Sequence, residues 1–290
     1  MLHSEIITES IRQLSDYKSF KLISHQQHEG TPLPSLSSLE EIVHLCRSIL
    51  FPGYFGHAAV DRATIKYHIG MEVEKLYYLL SDQIMAGLCF SCSSPPPMSQ
   101  AWSIAATFIE RLPTIRQWLA EDVVATYLGD PASKSYGEVI FCYPAIRAIS
   151  NYRVAHELLT LGVPLIPRII SELAHSETGI DIHPGAVIGH AFTIDHGTGI
   201  VIGETAVIGD RVKIYQGVTL GAKSFPLDEH GNPIKGIPRH PIIENDVIIY
   251  SNSTILGRIT IGQGAVIGGN IWVDTDIPAG AKIVQAAGNK

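Results

Sequence analysis

I-V-I-G-E-T-A-V-I-G-D-R-V-K-I-Y-Q-G-V-T-L-G, running from Ile200 to Gly221, repeats itself every six residues. Branched aliphatics fall at Ile202, Ile208, Ile214 and Leu220. The same phase extends back to Ile182, Ile188 and Ile194, and forward to Ile243, Ile249, Ile255, Ile261, Ile267 and Val273. Four places after most of these stands a second small or branched residue: Ala186, Ala206, Val212, Val218, Val247, Ile259, Ala265 and Ile271. A period of six fits neither an amphipathic helix nor an alternating strand. It is the repeat of a parallel β-helix, in which each hexad supplies one short flat side and a turn. Inward aliphatics then stack on those of the next coil and build one continuous core.

Two breaks interrupt the pattern. The step from Ile194 to Ile202 is eight residues long, which forces a bulge beside Asp195-His196. Between Leu220 and Ile243 the hexads stop for a polar stretch with four prolines, expected as a loop insertion over 222–241. Interruptions of a strict repeat are where function is expected, since a structural coil gains nothing from them.

Upstream, the sequence reads as helices separated by breakers, giving an α+β, multidomain chain: a helical domain over 1–176 and a β-helix over 177–290. The expected helices are Ser4–Phe20, one opened by a capping box at Ser38 and Glu41 and running to Leu50, and Met71–Cys89. Two more are expected over Ser99–Arg111 and Thr114–Tyr127, with Pro113 between them. A last pair spans Tyr143–Leu161 and Pro164–Ala174.

With 290 residues and 46% hydrophobic residues, both halves can bury a core. The net charge of −7 argues against nucleic acid or an anionic membrane as a partner. No apolar run reaches the roughly 18 residues of a spanning helix. Neither a signal peptide nor a disulfide framework is legible, so a cytoplasmic protein is expected. Cys89 and Cys92 form an isolated pair at the end of an apolar stripe and are expected to be structural. His25, His28 and His57 are expected at the surface.

The strings T-G-I-D-I-H-P-G-A-V-I-G (Thr178–Gly189), I-D-H-G-T-G-I-V-I-G-E-T-A-V-I-G-D (Ile194–Asp210), Q-G-V-T-L-G (Gln216–Gly221) and R-H-P (Arg239–Pro241) resemble serine O-acetyltransferase. D-P-A (Asp130–Ala132) and Y-R-V-A-H (Tyr152–His156) are similar to the segment that ends that family's helical domain. The resemblance covers about Asp130–Ala281. It implies a left-handed β-helix and transfer of acetyl from acetyl-CoA to the hydroxyl of L-serine, a step in cysteine biosynthesis. It further implies His196 as general base, Asp181 as the carboxylate that orients it, and His240 close to the serine hydroxyl. Asp130 and Asp195 would receive the serine amino group and Arg239 its carboxylate. Gly221, Ala222, Ser251 and Gly269 would line the groove for the pantetheine arm. No metal is implied. A homotrimer, or a hexamer made of two trimers, is.

The chain departs from the family at Ala222, commonly Gly, and in a longer loop before Arg239. It ends A-A-G-N-K, without the terminal Ile that the family inserts into O-acetylserine sulfhydrylase, so no such complex is expected. His183 and His190 read as corner residues. Three rival functions share parts of this pattern. One is a hexapeptide-repeat acetyltransferase of a sugar, other hydroxyl or amine. Another is a γ-type carbonic anhydrase holding Zn²⁺ on histidines such as His183, His190 and His196. The third is a non-catalytic scaffold.

Overall fold

The structure, a computed structural model, describes residues 2–21, 33–56, 60–91 and 94–285. His25, His28, His57, Cys92 and the C-terminal A-A-G-N-K lie outside the described residues.

Seven helices precede fourteen short strands among these residues. They are α1 (Leu2–Leu14), α2 (Leu36–Leu50), α3 (Ile65–Ser91), α4 (Met98–Gly129), α5 (Tyr136–Cys142), α6 (Pro144–Thr160) and α7 (Ile166–Thr178). Four sequence expectations are corrected. The first helix stops at Leu14, and a separate 3₁₀ turn over Tyr17–Phe20 is capped by Asp16, which accepts from Lys18 N. The cap of α2 is Ser35, not Ser38; its hydroxyl accepts from Ser38 N at 3.3 Å. The two helices expected either side of Pro113 are one, because Ala105, Phe108, Leu112, Ile115 and Leu119 form an unbroken buried stripe. Burying each such side chain is worth roughly 1.5–3 kcal/mol, so the stripe together outweighs the lost backbone bond and strain at one proline. The fourth is Tyr136–Cys142, which forms a helix that the sequence did not announce.

The strands wind into a three-sided, left-handed parallel β-helix. Its first face holds β1 (Asp181–Ile182), β4 (Val201–Ile202), β7 (Thr219–Gly221), β10 (Thr254–Leu256) and β13 (Trp272–Val273). On the second lie β2 (Val187–Ile188), β5 (Val207–Ile208), β8 (Ile242–Ile243) and β11 (Thr260–Ile261). The third carries β3 (Thr193–Asp195), β6 (Lys213–Tyr215), β9 (Ile248–Ile249), β12 (Val266–Ile267) and β14 (Lys282–Ile283). The register follows the hexads: Ile182, Ile202, Leu220, Ile255 and Val273 stack in one buried column. The second face resumes register across the 222–241 loop, with Ile208 opposite Ile243.

The two halves are joined by buried polar contacts from α6. Arg153 grips Asp122 of α4 bidentately at 2.8 and 3.0 Å and donates to Gly189 O at 3.0 Å. Asp122 in turn accepts from Phe192 N at 2.9 Å. Tyr152 donates to Ala186 O at 2.7 Å, and His156 Nδ1 donates to Pro184 O at 2.8 Å. The Y-R-V-A-H segment therefore docks the end of the helical half on the first coil.

Candidate active site

The eight-residue step produces the bulge that the sequence required. His196, Gly197 and Gly199 all take positive φ, at 58°, 97° and 80°, so the corner between β3 and β4 loops outward. His196 ends up with a side chain 76% exposed, and its Nε2 stands 3.7 Å from Asp195 Oδ1. The other carboxylate oxygen, Oδ2, pairs with Lys213 Nζ at 3.2 Å.

Across from this corner stands Asp130, the residue that caps α4. Its Oδ1 accepts from Ala132 N at 2.8 Å, and its Oδ2 accepts from Tyr143 Oη at 2.5 Å. The phenol hydrogen bond, then the backbone one, hold the Asp130 carboxyl below its ordinary range. The same carboxylate pushes the Tyr143 hydroxyl up to about 12. Asp130, Tyr143, Asp195, His196 and Thr198 line an open cleft of about 670 Å³. An exposed imidazole therefore faces a cleft with two carboxylates, a setting suited to a cationic ligand and to proton transfer.

A second cluster occupies the corner between the first and second faces. The 222–241 loop returns there and delivers Arg239 and His240 onto Glu204 and Thr205. Arg239 Nη2 pairs with Glu204 Oε2 at 2.7 Å. The His240 ring, 7% exposed, receives Thr205 N on Nδ1 at 3.0 Å. A backbone N–H can only donate, so Nδ1 is bare and the neutral ring carries its proton on Nε2. Burial, reinforced by the Arg239 charge, lowers the His240 pKa to about 4. Glu204 and Arg239 also line a cleft of about 370 Å³ under Phe225, Pro233 and Ile234 of the loop.

Within one protomer these clusters stay apart, since they occupy opposite edges of the first face. At about 3.3 Å per strand residue, that side puts them roughly 15 Å from each other. The four predicted groove residues divide the same way. Gly221 and Ala222 lie at the edge of Arg239 and His240, and Gly221 O accepts from Gly257 N. Ser251 and Gly269 lie at the edge of His196, one coil apart, where Ser251 O accepts from Asn270 N at 2.9 Å.

Asp181 is not hydrogen-bonded to His196. Its strand register sets it opposite Val201, and its carboxylate lies with Glu172 and His175, their potential ligand atoms within 4.8 Å of one another. Among the described residues this is the one trio with metal-ligand spacing, and it contains none of His183, His190 and His196. Those three fall on three different corners. His183 Nδ1 accepts from Gly185 N at 3.0 Å, whereas His190 pairs with Glu121 at 2.7 Å.

No family model matches the chain. A Synechococcus elongatus protein named as a plasmid serine acetyltransferase is 54% identical over 263 residues, 88% of this chain and 82% of that protein. The chain belongs to the serine acetyltransferase family. It is therefore an acyltransferase. Two solved serine acetyltransferases extend the likeness to three dimensions. Entamoeba histolytica serine acetyltransferase 1, in complex with L-cysteine, is 34% identical with a TM-score of 0.75, covering 94% of each chain. The Neisseria gonorrhoeae enzyme in complex with serine is 27% identical with a TM-score of 0.57, covering 84% of this chain and 95% of that one.

In this member of the serine acetyltransferase family, two residues escaped the sequence reading: Tyr143, which lines the cleft, and Lys213, which pairs with its Asp195. Tyr143 was absorbed into an expected helix, yet it is the extended residue between α5 and α6, at ψ 118°. Pro144 was the available signal, because the residue before proline is pushed out of helical geometry. Lys213 gave none: it sits at an ordinary outward position of a hexad.

Proposed function

We infer that the chain acetylates the hydroxyl of L-serine from acetyl-CoA, with His196 as general base. Serine Oγ attacks the thioester carbonyl carbon while His196 takes the hydroxyl proton. As the C–S bond breaks, the imidazolium returns that proton to the departing sulfur, giving O-acetyl-L-serine and CoA. Such a base contributes about 10²–10⁴-fold. The single observation that carries this is the cleft in which an exposed imidazole faces Asp130 and Asp195. Two carboxylates offset in part by Lys213 leave a net negative pocket matched to one ammonium.

Arg239 takes the substrate carboxylate by exchanging Glu204 for it, and neutral His240 offers Nε2–H as a donor beside it. Asp181 is retained as the carboxylate that orients the imidazole; catalytic hydrogen bonds that are long in a free enzyme tighten when substrate binds. Because the clusters lie on opposite edges of one face, a complete site needs two copies of the chain side by side. A trimer closed around the β-helix supplies that contact three times, with Gly221 and Ala222 of one copy facing Ser251 and Gly269 of the next across the CoA groove. Residues 1–176 then serve assembly and place Asp130, while 177–290 carry the chemistry.

L-Cysteine offers the same ammonium and carboxylate, so the same clamp admits it. The deciding experiment is thiol release from acetyl-CoA with L-serine, against D-serine, threonine and galactosides. Acetylation of a galactoside with serine inert would replace this function with that of a sugar acetyltransferase.

A further inference from the structure

Lys213 takes no step in the chemistry above, yet its ammonium pairs with one carboxylate of the cleft, Asp195, and lines a small cavity together with Asp195 and Asp130. It projects from β6, one coil beyond β3, and its side chain is 19% exposed. Nζ donates to Gly129 O, the last carbonyl of α4, at 2.9 Å. It reaches Asp195 Oδ2 at 3.2 Å and stands 4.9 Å from the centroid of the Tyr215 ring. The carbonyl end of a helix carries partial negative charge, so all three neighbours favour a cation there. Burial works against the charged form, but hydrogen bonds to Tyr215 and Asp195 outweigh it, and the pKa of Lys213 is raised.

Asp130 and Asp195 come from different halves of the chain, one following a helix and the other ending a strand. Among the described residues, Lys213 is the only β-helix side chain that hydrogen-bonds the segment 127–132. It holds Gly129, the immediate neighbour of Asp130, and Asp195 itself through one nitrogen. Rotating that lysine away would free the Asp195 carboxylate to turn and would remove the bond that ties the last carbonyl of α4 to the third face.

We propose that Lys213 is a positioning residue of the serine site, whose ammonium fixes Asp130 and Asp195 at the separation that lets both meet one substrate ammonium. This rests on the assignment of those two carboxylates as the amino-group clamp.

The test is steady-state kinetics of the full-length protein carrying Lys213→Met, Lys213→Gln, Lys213→Arg or, as the control on the clamp itself, Asp195→Asn. A hydrogen bond to a charged group is worth enough to change an equilibrium about tenfold. Lys213→Met and Lys213→Gln are expected to raise the KM for serine by about that factor. Their kcat should stay within about threefold of the parent, and the KM for acetyl-CoA should not move. Lys213→Arg, which keeps the charge, should restore most of the serine affinity. An unchanged serine KM in both neutral variants overturns the proposal. So does a parallel loss of kcat and acetyl-CoA affinity that arginine does not rescue, which marks a purely structural lysine. If Asp195→Asn leaves serine KM unchanged, the clamp assignment itself fails, and the Lys213 proposal with it. If Asp195→Asn raises KM and the lysine variants do not, only the Lys213 proposal fails.

Discussion

The imidazole of His240 lies directly against Gly203: a Cβ added to that glycine would stand 2.0 Å from Cδ2 and 2.1 Å from Nε2 of the ring. Gly203 does not have a positive φ, so its backbone would accept any residue. Contact with the ring alone requires glycine. Its own N–H is tied to Leu220 O at 3.1 Å, so the backbone cannot retreat. Gly203→Ala must therefore lift His240 off Thr205. Overpacking of this kind costs about 1–3 kcal/mol. The expected result is a melting temperature lowered by several degrees and weaker serine binding; a variant with parental stability and serine KM would show that the ring moves freely.

The same buried ring makes stability depend on pH. In the unfolded chain His240 titrates near 6.5, and in the fold it is lowered to about 4. Between those values the unfolded chain binds a proton that the folded chain refuses, so stability falls as pH drops through that window and is unaffected above it. Urea denaturation at pH 7 and at pH 5 should show this loss in the parent and a smaller loss in His240→Gln. An identical loss in both proteins would assign the pH dependence to other groups.

His196→Ala should remove the proposed base without disturbing the core, because the side chain is exposed on a bulge outside the stacked aliphatics. Turnover should fall at least about a hundredfold, the lower end for loss of a general base. Acetyl-CoA affinity and melting temperature should stay close to the parent. Retention of more than about a tenth of parental turnover would assign the proton transfer to another group, since a general base typically contributes about a hundredfold or more.

Asp181→Asn keeps the shape and removes the charge. If the carboxylate supports the imidazolium, turnover drops strongly while serine KM changes little. The structure adds a second arm, because Asp181 lies with Glu172 and His175. His175→Ala should leave turnover near the parent if Asp181 serves His196. A weak serine KM with normal turnover in Asp181→Asn would move that carboxylate from the base to the substrate clamp.

The β-helix was legible because each hexad writes its own inward position. Every column the spacing predicted, such as Ile194, Ile214, Ile249 and Ile267, is a register column of the fold. The helical half was less legible, since helix ends there are decided by packing between helices. Pro113 reads locally as a breaker, and only the buried stripe from Ala105 to Leu119 shows why α4 continues through it. The two breaks in the repeat fall at the two clusters of the candidate site, His196 at one and Arg239-His240 at the other. What spacing could not convey was that these clusters stand on opposite edges of one face. Fifteen residues separate Asp181 from His196, close to one coil, yet that distance along the chain does not fix the direction in which a carboxylate points.

Arg239 carries the last prediction. Its guanidinium is held by Glu204 at 2.7 Å and makes a longer contact with Ile237 O at 3.4 Å. If Arg239 receives the substrate carboxylate as proposed, that group takes the place of Glu204, an exchange of one carboxylate for another. Cysteine differs from serine only by a thiol in place of the hydroxyl, so it offers the proposed clamp of Asp130, Asp195 and Arg239 the same ammonium and carboxylate. A site that grips the shared groups rejects such an isostere poorly. L-Cysteine should therefore inhibit competitively with serine, and with only a modest effect on the KM for acetyl-CoA. Calorimetry should find cysteine bound by the parent and at least about tenfold more weakly by Arg239→Ala, the scale of losing one charged hydrogen bond. Glu204→Gln should bind cysteine at least as tightly as the parent, because it removes the carboxylate that competes for Arg239. Equal cysteine affinity in the parent and Arg239→Ala would place cysteine outside the serine site.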